Sequence, residues 1–451
     1  MEKLEKNQIH RVEIDGFSSD GAGVCHIGGQ AVFVQNALPG ELCEIRILKA
    51  GARVAFAKTE QILLPSPSRQ APDCPHFPAC GGCDLRHMDY GAELRFKLTR
   101  LNDALSHIGG LSLQAETILG AEQLDGYRNK AVYAVGPGPV TGFYRERSHD
   151  ILPITRCRIQ AELSDRAAAS VRRFMAEFQV EAYDEKTGAG SVRRVFCRVS
   201  RGTGQAMVCI VSARGLGGKT QSAVETLRQD CPELSSIVLC VNSLRGNTAL
   251  AGDFYTLWGE DAVDETLLGF RFSLSPRSFF QVNAAQAERL CEKVLEYAAG
   301  FAPGRVLDLY CGVGAISLCL SRIAERVVGV ETVADAVEDA ERNAGRNGVS
   351  NVEFLRLDAA DAVSALGDLD FSPDVIVADP PRKGLSEEAL DACVELAPRG
   401  IVYVSCDPAT LARDLKRFDA LGYGASEAVA VDMFPRTKHV EAVVSLRRQD
   451  V

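Results

Sequence analysis

The spacing of apolar residues changes character twice along the chain. Between residues 7 and 62, apolar and polar positions alternate in short runs: HRVEIDGF, GAGVCHIGGQAVFVQNA, ELCEIRILKA and RVAFAKTEQIL. Turn signals such as Ser18-Ser19-Asp20-Gly21 and Leu38-Pro39-Gly40 separate them, so five short strands in a compact OB-like barrel are predicted. From about 92 to 270, helical stretches (ELRFKLTRLNDALSHIG, AELSDRAAASVRRFMAEF) mix with strand-like ones (RVFCRVS, QAMVCIVSA, SIVLCVN). Beyond 286 the alternation becomes regular. Helices over 286–299, 315–324, 333–346, 386–396 and 408–420 interleave with RVLDLY, RVVGVE, VEFLRLD, DVIVADPP and GIVYVSC, the pattern of a doubly wound parallel sheet.

The expected organisation is therefore α/β with three parts: an OB-like β-barrel over 1–64, a mixed α/β domain over 65–270 and a Rossmann-like α/β domain over 271–451. A chain of 451 residues is too long for one core, since domains usually hold about 100–200 residues. Residues 65–90 are rich in Pro, Cys, Gly and His with little periodicity, as expected of a linker folded around something other than a hydrophobic core. No apolar run approaches the length needed to cross a bilayer and the N-terminus lacks a signal-peptide core, so a cytoplasmic monomer without membrane contact is expected.

Charge divides the chain further. The net charge of -10 argues against a nucleic-acid partner until its distribution is considered. Residues 91–230 carry 20 Lys and Arg against 15 Asp and Glu, a balance of +5, whereas residues 251–451 carry 20 against 33, a balance of -13. Basic and aromatic residues interleave in Tyr127-Arg128-Asn129-Lys130, Phe143-Tyr144-Arg145-Glu146-Arg147 and Arg193-Arg194-Val195-Phe196-Cys197-Arg198, which suits phosphate contact and base stacking.

Open parallel sheets bind ligands at the carboxyl ends of their strands, and chemically useful residues gather there. The first strand of the regular region runs into Asp308-Leu309-Tyr310-Cys311-Gly312-Val313-Gly314-Ala315. A dinucleotide fingerprint would place a third glycine where Ser317 stands. Glu331, ending the second strand, suits ribose hydroxyls in either a nicotinamide or an adenosylmethionine enzyme. Asp379-Pro380-Pro381 decides between them, because such a rigid carboxylate loop belongs to adenosylmethionine-dependent methyltransferases and serves no purpose in a nicotinamide oxidoreductase.

Cys406 ends the fifth strand at the same edge, and Asp407-Pro408-Ala409-Thr410 follows it. A thiol at a strand-to-helix corner lies near a helix N-terminus, so a lowered pKa and a nucleophilic role are expected. Fifteen cysteines, an odd number in a long chain, argue against a disulfide framework. Cys74, Cys80 and Cys83 have the spacing C-x5-C-x2-C and Cys157 follows far along; four thiolates suit either zinc or an iron–sulfur cluster.

Three segments carry a family resemblance: Asp379-Pro-Pro-Arg382-Lys-Gly384 with Tyr403-Val-Ser405-Cys406, Asp432-Met-Phe434-Pro435-Arg-Thr437-Lys-His439-Val-Glu441, and Ser275-Pro-Arg-Ser278-Phe-Phe280-Gln281-Val-Asn283. In these the chain resembles the RNA uridine-5 methyltransferases, and the likeness spans essentially its whole length. The resemblance implies that Cys406 is the nucleophile and Glu441 the base, with S-adenosylmethionine held by Gln281, Tyr310, Glu331 and Asp379, and by Asp358 as a further candidate. It implies a TRAM domain for the N-terminal barrel and a [4Fe–4S] cluster on Cys74, Cys80, Cys83 and Cys157. That cysteine pattern belongs to members acting on 23S ribosomal RNA; a tRNA enzyme is the alternative within the family, expected to differ in the cluster and the barrel. A noncatalytic iron–sulfur RNA-binding protein, the alternative from another class, would not need the Cys406 and Glu441 pair. Two positions depart from the commonest pattern: Asp407 replaces an Asn, and Ala315 replaces a polar residue found in some members.

Overall fold

The computed structural model describes residues 4–449 apart from 147, 245 and 247–249, so Arg147 lies outside the described residues. The chain forms two compact units, Met1–Arg100 with Phe434–His439, and Leu101–Met433 with Val440–Val451.

In the first unit, strands β1 (Ile9–Glu13), β2 (Gly16–Phe17), β3 (Gly23–Ile27), β4 (Gln30–Gln35), β5 (Leu42–Ala50) and β6 (Val54–Leu64) form a six-stranded sheet in the order β1-β5-β6-β4-β3-β2. Five strands were expected; the additional β2 is only two residues long and leaves no alternation to read. Buried positions recur every second residue, as in Val32 and Val34, Cys43, Ile45 and Ile47, or Ala55 and Ala57, because successive strand side chains face opposite sides. The amide of Asp15 donates to the Val24 carbonyl at 2.9 Å, so the sheet curls until the end of β1 meets β3. Helix α1 (Tyr90–Asp103) follows. Its buried Lys97 and Glu93, one helical turn apart, are 2.7 Å from each other; Lys97 also donates to the Phe434 carbonyl, and Glu93 accepts from the Arg436 amide. Those bonds tie Phe434–His439 to α1.

In the second unit, β7 (Ile118–Leu119) precedes β8 (Lys130–Gly136), β9 (Val140–Tyr144), β10 (Ile151–Pro153), α2 (Glu162–Glu177), β11 (Val192–Val199), β12 (Ala206–Ser212), α3 (Thr220–Asp230), β13 (Leu234–Val241) and β14 (Asp253–Gly259). The last seven strands form one sheet, β10-β9-β8-β11-β12-β13-β14. Helices α2 and α3 bury Val171, Phe174, Val224 and Leu227 in the same core as Tyr133, Val195, Val208 and Ile237 of the sheet. A hairpin of β15 (Val263–Leu267) and β16 (Phe270–Leu274) leads onward.

The rest of this unit runs α4 (Ala284–Ala299), β17 (Arg305–Leu309), α5 (Ala315–Leu320), β18 (Arg326–Glu331), α6 (Ala334–Arg346), β19 (Val352–Arg356), α7 (Ala362–Asp368), β20 (Val375–Ala378), α8 (Glu387–Glu395), β21 (Gly400–Ser405), α9 (Pro408–Ala420), β22 (Tyr423–Val431) and β23 (Glu441–Arg448), the expected order except that α7 and β22 had not been expected. The sheet order is β19-β18-β17-β20-β21-β23-β22-β7. It is parallel from β19 to β21, as the pattern predicts, but β23 inserts antiparallel between β21 and β22, and the two residues of β7 join the far edge. Apolar runs carry no information about strand direction, so a wholly parallel sheet was the wrong expectation there.

The chain steps outward from β17 through β18 to β19, then returns to the other side of β17 with β20. This reversal opens a crevice at the carboxyl ends of β17 and β20, where such sheets take ligands. No helix among the described residues is long and apolar enough to cross a membrane.

Candidate active site

The crevice is lined first by the loop after β17. Gly314 has φ +80, and a Cβ there would lie 2.9 Å from the Phe354 ring and 3.2 Å from Ala340, so only glycine fits between β17 and the packed wall behind it. Tyr310 sits at φ 63, a strained conformation for a residue with a side chain. Burial, with Asp358 and other acidic neighbours, pushes its phenol up to about 12. Ser317, standing where a dinucleotide fold has its third glycine, donates its hydroxyl to the buried Asp308. The other Asp308 oxygen, Oδ1, is buried without a hydrogen-bond partner. Burial raises the Asp308 carboxyl to about 7, with Asp379 adding to the rise and Ser317 opposing it.

The other cofactor candidates occupy neighbouring strand ends. Glu331 accepts from the amides of Gly312 (3.2 Å), Thr332 (2.8 Å) and Val333 (2.9 Å), joining the end of β18 to the glycine loop. Asp358 follows β19 and caps the short turn after it by accepting from the Ala360 amide. Asp379 follows β20, and burial pushes its carboxyl up to about 7. Gln281 lies in the segment before α4, where its carbonyl accepts from Asn129 Nδ2 at 3.1 Å.

Cys406 and Glu441 meet through strand register. Ser405 of β21 pairs with Ala442 of β23, and one further antiparallel step sets Cys406 opposite Glu441. Asp379 follows the strand on the other side of β21. Burial pushes the Cys406 thiol up to about 11, with Glu441 and Asp379 adding and Arg382 opposing. The expected lowering of this thiol is therefore overturned. Burial outweighs the helix position, and Asp407 leaves that end of α9 already capped: its carboxylate accepts from the Ala409 and Thr410 amides, both at 3.0 Å. Glu441 is buried, and burial with help from Asp379 pushes it up to about 8 while Arg382 opposes. Arg382, quoted in the sequence motif but given no role there, is the cation that both groups feel.

Upstream of β23, Gln286 Nε2 donates to the Asp432 carbonyl (3.0 Å) and the Leu119 carbonyl (2.7 Å), and Asn283 Nδ2 to the Met433 carbonyl (3.2 Å). Asn283 also caps α4. The segment Ser275–Asn283 thus ends on one of the two residues that anchor the approach to Glu441.

Among the metal candidates, Cys74, Cys80 and Cys83 belong to the first unit and Cys157 to the second. Burial pushes Cys83 up to about 11; Cys80 and Cys74 add to the rise and Arg86 opposes it, so these thiols act on one another. Near them His87 is 2% exposed, stacks on Phe77 with ring centroids 5.5 Å apart, and has neither ring nitrogen hydrogen-bonded. The amide of Cys157 donates to Asp165, which also accepts from the Tyr133 hydroxyl at 2.6 Å. The donor chemistry suits a thiophilic centre, but among the described residues no group of three or more His, Cys, Asp or Glu side chains is arranged to hold a metal ion.

Residues 153–449 match the family model of the tRNA (uracil-5-)-methyltransferases, and residues 3–59 match the TRAM domain. An uncharacterized RNA methyltransferase of Clostridium tetani is 39% identical over 444 residues, covering 98% of this chain and 96% of its own. One from Listeria innocua is 39% identical over 446 residues, covering 98% of each. The crystal structure of the Pyrococcus abyssi tRNA (uracil-54, C5)-methyltransferase with S-adenosyl-L-homocysteine superposes with a TM-score of 0.80 at 29% identity, covering 97% of this chain and 99% of that one. A match over that share of the chain takes in the N-terminal barrel, so the barrel does not separate ribosomal RNA enzymes from tRNA enzymes as expected.

The electrostatics set a pH dependence. Alkylation of Cys406 by iodoacetamide, followed at that residue by peptide mass spectrometry, should rise with pH to a midpoint near 11. Above pH 8 Glu441 is an anion that disfavours the thiolate, so Glu441→Gln should move the midpoint down; an unchanged or higher midpoint contradicts their proximity.

Proposed function

Because the chain belongs to the tRNA (uracil-5-)-methyltransferase family, we propose that it methylates carbon 5 of a uridine in 23S ribosomal RNA, with Cys406 as nucleophile and Glu441 as base. Its class is that of an S-adenosylmethionine-dependent RNA methyltransferase with an N-terminal TRAM domain. The observation that carries the residue assignment is the β21–β23 register, which sets Cys406 across from Glu441 one strand away from Asp379.

Carbon 5 of uracil is a weak nucleophile. Once the Cys406 thiol has lost its proton to water, the thiolate sulfur bonds to carbon 6 and the electrons of the 5,6 double bond move onto the ring as an enolate, whose carbon 5 can take a methyl group; a hard step is divided into easier ones. S-adenosylmethionine, when bound, supplies that methyl on a positively charged sulfur. In this reading Gln281, Tyr310, Glu331 and Asp379 hold the donor, with Asp358 beside Tyr310, and the raised carboxyls of Asp308 and Asp379 favour a cation in the crevice. Carbon 5 then carries the methyl and its original hydrogen. Glu441 removes that proton, the electrons of the broken C–H bond restore the 5,6 double bond, and the Cys406 sulfur leaves carbon 6. The uridine must be unpaired or flipped out for the sulfur to reach carbon 6.

Ribosomal RNA is favoured by the Cys74, Cys80, Cys83 and Cys157 pattern, read through the resemblance; tRNA is the second reading, favoured by the whole-chain likeness to the Pyrococcus enzyme. Methyl transfer from labelled S-adenosylmethionine into 23S rRNA and tRNA, both isolated from cells lacking this protein, separates them. Label in 23S rRNA alone is expected; label in tRNA alone establishes the second reading. Cys406→Ala should transfer none to either, and turnover by that variant removes its assigned role.

We propose further that the four cysteines hold a [4Fe–4S] cluster with a folding role. Its support is the spacing and the mutual influence of Cys74, Cys80 and Cys83. Protein purified without oxygen should contain iron and acid-labile sulfide, both lost in Cys83→Ala; zinc in their place, or no metal, contradicts the cluster.

A further inference from the structure

Three cations crowd together beside the segment Ser275–Asn283. Arg128 precedes β8, Lys130 begins it, and the β8–β11 register pairs Lys130 directly with Arg198. Like charges directly opposite on neighbouring strands repel. Burial, followed by Arg198 and Arg128, pushes the Lys130 amine down to about 8, and burial pushes the Arg198 guanidinium down to about 10 despite Glu265 and Asp339. Among the described residues none of the three forms an ion pair. Arg198 is 3% exposed; its Nη2 donates to the Ser278 carbonyl at 2.5 Å, while its Nε and that of Arg128 are buried N–H donors without an acceptor.

In a protein of net charge -10, such a group lacks two things that one ligand would supply: negative charge and hydrogen-bond acceptors. Guanidinium forks match the oxygens of a phosphate, and a lysine adds a point charge. Arg128 and Lys130 are half-buried, and beside them Phe279 is 63% exposed with Lys130 Nζ 5.5 Å above its ring. The group is also fixed to the proposed site. Asn129, between Arg128 and Lys130, donates its amide to the Val282 carbonyl (2.8 Å) and its Nδ2 to the Gln281 carbonyl (3.1 Å).

We propose that Arg128, Lys130 and Arg198 form a pocket for one backbone phosphate of the RNA, anchoring the strand beside the segment that carries Gln281. This rests on RNA being the substrate and names the part of the strand held.

The test is binding of a fluorescently labelled single-stranded oligouridylate to the full chain, by anisotropy across a series of salt concentrations. Lys130→Met and Arg128→Gln should each weaken binding and flatten the slope of log affinity against log salt by roughly 0.7 to 1, equally for oligouridylate and oligoadenylate. Lys416→Met, an exposed lysine on α9, should match wild type. Lys130→Met also removes a repulsion, so its melting temperature should hold or rise while RNA binding falls; a purely structural lysine would lower both. Wild-type slopes in both pocket variants overturn the proposal. Acetylation of Lys130, read by mass spectrometry, should be blocked by oligouridylate and not by the same concentration of inorganic phosphate; the reverse assigns the pocket to a free anion and overturns it too. A wild-type chain that binds RNA with the expected slopes but transfers no methyl to uridine would remove the functional reading and leave the pocket standing.

Discussion

The antiparallel pairing of β23 with β21 is the constraint on which the rest of the site depends. Side chains alternate faces along a strand, so a slip of one residue would turn Glu441 away and bring Ala442 opposite Cys406. Several features resist that slip. Residues Ala442–Leu446 are buried, the Tyr403 hydroxyl ties β21 to Asp414 of α9 at 2.6 Å, and Gln286 and Asn283 hold the carbonyls of Asp432 and Met433 on the approach to β23. Inserting β23 also spares β21 from being an edge strand, so one pairing closes the sheet and composes the proposed pair.

Electrostatics follow from that placement. Asp308, Asp379 and Glu441 are carboxyls raised toward or above neutrality by burial, and Asp379 raises both of the others. The Cys406 thiol shares their field, and Arg382 opposes it. In this state the nucleophile is quiet and the base holds its proton at neutral pH. Any cation seated near Asp379 acts in the same direction as Arg382, toward the thiolate and the ionised base. The acidic half of the chain is thus tuned for a positively charged donor, while the cations of β8 and β11 face the opposite requirement, an anionic strand.

Much of this was legible in the residues. The change from alternating to helical spacing located the barrel and the α/β alternation, and Cys406, Asp379 and Glu331 could be placed at strand ends because apolar runs stop at them. Other features had no local signal. β2 and β7 are two residues each, too short to show a period, and the direction of β23 depends on where the chain crosses over, which side-chain chemistry does not record. The Cys406 environment was misjudged because its burial beside Glu441 and Asp379 leaves no local signal, and because Asp407 was treated as a bystander although an acidic residue at a helix start is itself a cap. Ser317 was read only as the absence of a glycine, although its hydroxyl answers the buried Asp308. The segments holding Lys130 and Arg198 were read as suited to phosphate contact, but their pairing joins residues far apart in the chain and had no local signal.

The central claim, that Cys406 and Glu441 act in sequence on one uridine, is tested most directly by Glu441→Gln with substrate RNA and S-adenosylmethionine, analysed by mass spectrometry under denaturing conditions. The account predicts RNA bound covalently to the Cys406 peptide and already carrying the methyl, because the carbon 5 proton cannot leave and the sulfur therefore cannot be released. Free, fully methylated RNA at the wild-type rate, or an adduct at another residue, would contradict it.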